Sequence, residues 1–222
     1  EYNKYFDKKS SLLYKGYSYR GESYEYKPVH TPIRLVFMGN LGAGRWKTLA
    51  KLVKTLIRIN KNGIKAVLKI YTLSPLSSRM QTKLTVEEVS CIMDHVPNEE
   101  VMDVLKSADM LIHVEPLNLK DRLFYRLSFT TKLVDYFKAG KCILGFGGKT
   151  ASLTYLEEHD CGIVIYDTSK MFSVIENIIE HPQIIEKYKK KAWECGYKNH
   201  QIENIQANLY RDFSKFVSFD RY

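Results

Sequence analysis

From Pro32 onward, short apolar runs alternate with longer stretches in which apolar residues recur every three or four positions. The runs predict strands over residues 33–38, 66–71, 89–93, 110–114, 142–146 and 162–165. The helical period predicts helices over 46–60, 99–107, 131–139, 151–158 and 171–180. Strands that alternate with helices pair in parallel, because each return crossing must carry the chain back along a helix. The expected fold is therefore α/β, a doubly wound, Rossmann-like parallel sheet. Residues 182–217 read as two further C-terminal helices broken near Asn199-His200. Residues 1–31 lack either period and are dense in tyrosine (Tyr2, Tyr5, Tyr14, Tyr17, Tyr19, Tyr24 and Tyr26). They are predicted to be an interdomain linker, which leaves 32–222 as the domain proper.

Composition narrows this picture only slightly. A chain of 222 residues, 45% hydrophobic and 27% charged, can bury a core of its own. The net charge of +9 suits an anionic partner without choosing among nucleotide sugars, membrane surfaces and nucleic acids, and a solvated basic surface accounts for it equally. Cys91, Cys142, Cys161 and Cys195 are widely spaced and form no CxxC. They read as reduced core thiols of a cytosolic protein. No run of about 18 apolar residues and no signal peptide is visible.

The stretch SFTTKLVDYFKAGKCILGFGG, Ser128 to Gly148, carries the most chemistry. It sets Ser128, Thr130, Thr131 and Lys132 at a helix start. That helix end offers unpaired N–H groups and roughly half a positive charge to an anion. Asp135 follows one turn later, where a carboxylate can accept hydrogen bonds from a ribose diol. The plain alternative is an ordinary capped helix start. Earlier in the chain, RLVFMG leads through Asn40-Leu41-Gly42-Ala43-Gly44 into a helix that opens on Arg45. Gly42 and Gly44 allow backbone N–H groups to approach phosphate oxygens, and Arg45 can fork onto two of them. The spacing is neither GxGxxG nor a P-loop, so no dinucleotide or P-loop reading is supported. The bland reading is a tight strand-to-helix turn. A parallel sheet binds ligands beyond the carboxyl ends of its strands. There Gly42, Arg45, Thr72, Val96, Glu115 and Lys132 are expected to converge.

VFMGNLGAGRWKTLAKLVKTL, VLKIYT, VPNEEVMDVLKSADMLIHVEP, SFTTKLVDYFKAGKCILGFGG and YLEEHDCGIVI follow one another in this order. Together they resemble the C-terminal, donor-binding domain of a GT-B fold glycosyltransferase of the family 4 type. The resemblance runs from about Pro32 to Val217. It implies that the glycine loop, Arg45 and Lys132 hold the diphosphate of a UDP- or GDP-sugar, with Arg45 and Lys132 as the catalytic cations, and that Asp135 binds the ribose. Many members carry two glutamates eight positions apart. Here Asp135 takes the second position and Leu127 the first. Glu115, after the strand MLIHV, then stands as a substitute contact for the donor hexose.

The resemblance further implies retaining transfer to a saccharide or lipid-linked acceptor, in polysaccharide or cell-envelope glycan synthesis. The acceptor would be presented by an N-terminal domain expected to lie outside this chain, so that this domain alone would bind donor without transferring sugar. No cofactor is expected beyond the substrate, and no His/Cys/Asp/Glu grouping has metal-ligand spacing. The expected location is cytoplasmic, with the lysines of 187–191 offering a peripheral contact to the inner face of the membrane. A solvated helix face explains them as well. His95 and His113 read either as site residues or as satisfied structural histidines, and Lys47 as an assistant to Arg45 or a solvent-facing residue. Two other classes stay open. One is a GT-B nucleotide-sugar epimerase, for which no acid/base carboxylates stand out. The other is a non-catalytic basic polyanion-binding domain, although no nucleic-acid recognition motif is present and no nucleic-acid partner is expected.

Overall fold

The computed structural model describes residues 12–217. Six strands form one sheet: β1 (Ile33–Met38), β2 (Ala66–Tyr71), β3 (Ser90–Met93), β4 (Met110–Val114), β5 (Cys142–Phe146) and β6 (Ile163–Ile165). Every pairing is parallel and the spatial order is β3-β2-β1-β4-β5-β6. The order reverses between β1 and β4, and at such a switch point the connecting helices leave on opposite faces and open a crevice.

Period-two alternation divides the strand side chains between two cores. Leu35, Phe37, Leu68, Ile70, Ile112 and Leu144 face one side, against Leu49, Leu52, Val53 and Leu56 of α1 (Arg45–Ile59). Val36, Leu111 and Ile143 face the other. That second layer contains α5 (Lys132–Ala139), α6 (Ala151–Glu158) and α8 (Gln183–Asn199), through Leu133, Phe137, Leu153, Leu156 and Ala192. All five residues of β4 and of β5 are buried, as expected for strands covered on both faces. The remaining helices are α2 (Ser78–Leu84), α3 (Val101–Ser107), α4 (Leu119–Tyr125), α7 (Met171–Glu180) and α9 (Ile202–Val217). Among the described residues no helix is long and apolar enough to cross a membrane.

The sequence pattern missed α2 and α4. α2 buries only Leu84 and α4 no residue, so neither displays the apolar stripe that marks the equally short α3 through Val101, Val104 and Leu105. Their caps were nonetheless written in the sequence: Ser77 accepts from the Met80 N–H and Asn118 from the Asp121 N–H. One further correction concerns Cys91. It lies on edge strand β3 and is exposed, whereas Cys142, Cys161 and Cys195 are buried.

Within 12–31 the chain makes no helix or multi-residue strand, yet it is fastened to the domain along its length. Tyr17 exchanges backbone hydrogen bonds with His200 and Ile202 at the α8–α9 junction. Tyr14 lies edge-on to Phe129 at 5.1 Å, and Tyr19 edge-on to Trp193 at 5.8 Å. The Tyr26 hydroxyl donates to Glu186. Tyr2 and Tyr5 lie outside the described residues. Tyr19 is 2% exposed, and burial of such a ring stabilises by about 1.5–3 kcal/mol. It fits because α8 presents Gly196 beneath it: a methyl group there would collide with the Tyr19 hydroxyl and with Phe137. Gly196→Ala is therefore expected to destabilise the protein by about 1–3 kcal/mol in urea unfolding, despite alanine's better helix propensity. Tyr19→Phe is expected to be neutral or mildly stabilising, because that buried hydroxyl has no hydrogen-bond partner.

Candidate functional site

The loop after β1 is held open from several sides. Gly39 N–H donates to Tyr71 O, Leu41 N–H to Ser74 Oγ, and Gly42 N–H to its neighbour Asn40 Oδ1 at 2.5 Å. Leu41 is fully buried and pins the loop to the core. Ala43 (φ 51°) and Gly44 (φ 73°) then turn left-handed before α1 begins. Gly44 packs close to the Asn118 side-chain amide, leaving little room for a side chain there. No side chain caps α1 and no acidic residue occupies its first turn. Among the described residues nothing accepts from the Ala43 and Gly44 N–H groups. A helix end left in this state is suited to an anion.

Four charged or titratable side chains gather beside this loop, from three separate segments. The Arg45 guanidinium stands 3.5 Å from Glu115 Oε2 and stacks on the Tyr125 ring at 4.4 Å. Glu115 Oε1 is 3.0 Å from His113 Nε2. Lys132 directs its Nζ toward the backbone of Gly39, where even a methyl group would approach it to 2.9 Å, and lies 5.1 Å from the Phe37 ring centre. It makes no hydrogen bond or ion pair among the described residues.

The electrostatics follow from this crowding. Burial, reinforced by Arg45, lowers the Lys132 pKa to about 8, and Glu115 offsets only part of the effect. Burial disfavours the Glu115 charge too, but the His113 hydrogen bond and the two cations outweigh it and hold the carboxyl below its ordinary range. Burial keeps His113 neutral, which suits an Nε2–H donated to Glu115. One buried carboxylate thus faces two cations, and the site is short of negative charge.

The other anticipated residues are distributed around this centre. Thr72 and Val96 line a cleft of about 410 Å³ that reaches Gly39 and also contains His95 and Asn98. Thr72 Oγ1 accepts from the Ser74 N–H. At the start of α5 the Thr130 N–H donates to Ser152 Oγ, whose hydroxyl donates to Ser128 O, while Thr131 remains exposed. Asp135 is engaged from outside the sheet: its carboxylate accepts from Lys15 and, at 2.5 Å, from the Tyr17 hydroxyl. The sequence reading missed the Tyr125 stacking, the Ser152 brace and the Lys15–Tyr17 clasp. None leaves a local signature, since each joins segments far apart in the chain.

No protein-family model and no curated protein matches this chain. Solved structures do. HepE of Anabaena, crystallised with UDP and glucose, superposes with a TM-score of 0.62 at 13% identity over 83% of this chain and 49% of its own. The C-terminal domain of LpcC, a glycosyl transferase group 1 family protein of Francisella tularensis, gives 0.59 at 7% identity over 78% of this chain and 89% of its own. Sucrose-phosphate synthase of Thermosynechococcus elongatus gives 0.65 at 11% identity over 85% and 46%. The chain thus shares the GT-B domain fold of these proteins, a Rossmann-like α/β sheet. The chain spans about half the length of HepE.

Lys132 provides a test of the site's electrostatics that needs no ligand. A folded pKa of about 8, below the ordinary 10.5, means that the unfolded chain holds more protons between those values. The lysine's contribution to stability therefore improves as pH rises through that window. Lys132→Met is expected to raise the stability of the ligand-free protein by about 1 kcal/mol or more at pH 7. That advantage should shrink steadily from pH 8 to 10.5 in parallel denaturation curves, and a pH-independent difference would contradict the arrangement.

Proposed function

We propose that this chain is the donor-binding half of a glycosyltransferase, holding a nucleoside diphosphate sugar at the carboxyl edge of the sheet. The observation that carries the reading is Lys132, a cation without a partner, set over the glycine loop beside Arg45. The diphosphate lies across the uncapped start of α1, between Arg45 and Lys132, and the base enters the cleft lined by Thr72 and Val96. Ser128, Thr130 and Thr131 border the phosphates from the start of α5. Asp135 receives the ribose diol, exchanging Tyr17 or Lys15 for a ribose hydroxyl. Glu115 stands where the sugar meets the diphosphate, and its pair with Arg45 fixes the guanidinium's position.

Breaking the sugar–phosphate bond leaves the bonding electron pair on the departing diphosphate. Arg45 and Lys132 neutralise that charge as it forms, in a site already partly dehydrated. The transfer retains anomeric configuration. A second domain, beyond the residues of this chain, presents the saccharide or lipid-linked acceptor. The crystallised complex of HepE with UDP and glucose supports this reading by fold likeness.

Two measurements examine it. Calorimetric titration should show UDP or GDP binding that weakens about tenfold or more in Arg45→Ala and in Lys132→Met, since each substitution removes a charge-assisted contact. Near pH 8 binding should also take up protons, because a bound anion raises the Lys132 pKa, whereas at pH 6 the uptake should vanish. Equal affinities for all three proteins would reject the diphosphate site. Asp135→Ala should cost a ribonucleotide about 1.5–3 kcal/mol and its 2′-deoxy analogue much less. Equal losses would remove the ribose role.

A further inference from the structure

A second group of cations lies at the opposite, amino-terminal edge of the sheet and shares no residue with the donor site. Between the strap of residues 22–27, the end of α5 and α8 is a cavity of about 280 Å³, lined by five lysines: Lys27, Lys106, Lys138, Lys141 and Lys189. The carboxylates around it are already engaged. Glu22 pairs with Lys138 at 2.6 Å and Glu25 with Lys27 at 3.2 Å. Beneath the floor, Asp109 is bound by Lys189 at 3.2 Å, by His30, and by the Arg34 N–H. Lys138 also donates to the backbone at Ser18.

Two lysines are left over. Lys106 is exposed at the rim. Lys141, immediately before β5, is 5% exposed, lines the cavity, and makes no hydrogen bond or ion pair with any described residue. The stem of Lys141 is thus packed in the protein while its ammonium, with no protein partner, is left to the cavity. The C-terminal end of α5 contributes some negative potential here, but Lys138, in the last turn of that helix, already answers it.

We propose that this cavity is a second anion site, which takes a phosphate group, free or as the monoester of a small molecule, with Lys141 at its centre and Lys106 at its mouth. Lysines arriving from several directions suit a tetrahedral dianion. A planar carboxylate is matched by the fork of an arginine, and no arginine lines the cavity. The volume lies near the lower end of small-ligand pockets, about 300 Å³, and suits a small phosphorylated molecule. Tyr24 and Trp193 form an aromatic wall against which the substituent of a monoester would rest.

The test uses the Lys132→Met protein, in which the donor site has lost a cation, titrated calorimetrically with inorganic phosphate and with a hexose 6-phosphate at constant ionic strength. Binding should persist in this background. Adding Lys141→Met should weaken it about tenfold or more, and Lys106→Ser by several-fold. Tighter binding of the ester identifies a phosphorylated metabolite as the occupant, and equal affinities identify phosphate itself. Absence of binding up to millimolar phosphate would overturn the proposal, as would affinity unchanged by Lys141→Met. Should Lys141→Met fail to fold, the exposed Lys106→Ser variant decides, and unchanged affinity there overturns it equally. Failure of UDP binding in the parent protein would leave this site untouched, so the two proposals stand or fall separately.

Discussion

Because every strand of the sheet runs in the same direction, each connecting segment must travel back across a face, and its helix begins near the carboxyl edge. That constraint places the uncapped start of α1, the start of α5 and the end of β4 at one edge although the sequence separates them widely. Helix dipoles, loop N–H groups and two cations add at that edge. The reversal of strand order between β1 and β4 opens the crevice there. The positive ends of helices therefore collect at this edge as a consequence of topology before any side chain is chosen.

Side chains then tune what topology supplies. A half-buried lysine without an ion-pair partner is unfavourable, and Glu115 lowers the cost without removing it. His113 and Arg45 hold that carboxylate ionised and in place. One carboxylate against two cations leaves an excess of positive charge, the kind of perturbed electrostatics that gathers at functional sites. The amino-terminal edge carries a smaller version of the same imbalance at Lys141, also with a pKa lowered to about 8 by burial and by neighbouring Lys189.

The described part of the tyrosine-rich segment, residues 12–31, packs on this domain. Within the described residues it crosses the α5–α8 layer, buries Tyr19 over Gly196, and brings Lys15 and Tyr17 to Asp135. It contributes to the core, to the rim of the proposed donor site and, through Glu22, Tyr24 and Lys27, to the lysine-lined cavity. One strap thus touches both edges of the sheet.

The sequence by itself determined the strands, the long helices and the break before α9, because burial on two faces and the helical period are local properties that the chain must display residue by residue. β1, β2, β4 and β5 lie where their apolar runs predict them. It also pointed to the glycine loop, Arg45 and Lys132, which the fold does bring together. Short helices α2 and α4 escaped because they bury almost no apolar face, and so display a cap but no period. Only the tertiary structure decided which charges are paired. Asp135 meets Lys15 across the domain, Glu115 meets Arg45 across the crevice, and Lys141 meets no carboxylate of its own. Coulomb interaction depends on distance through space and on the local dielectric, and a linear pattern carries neither.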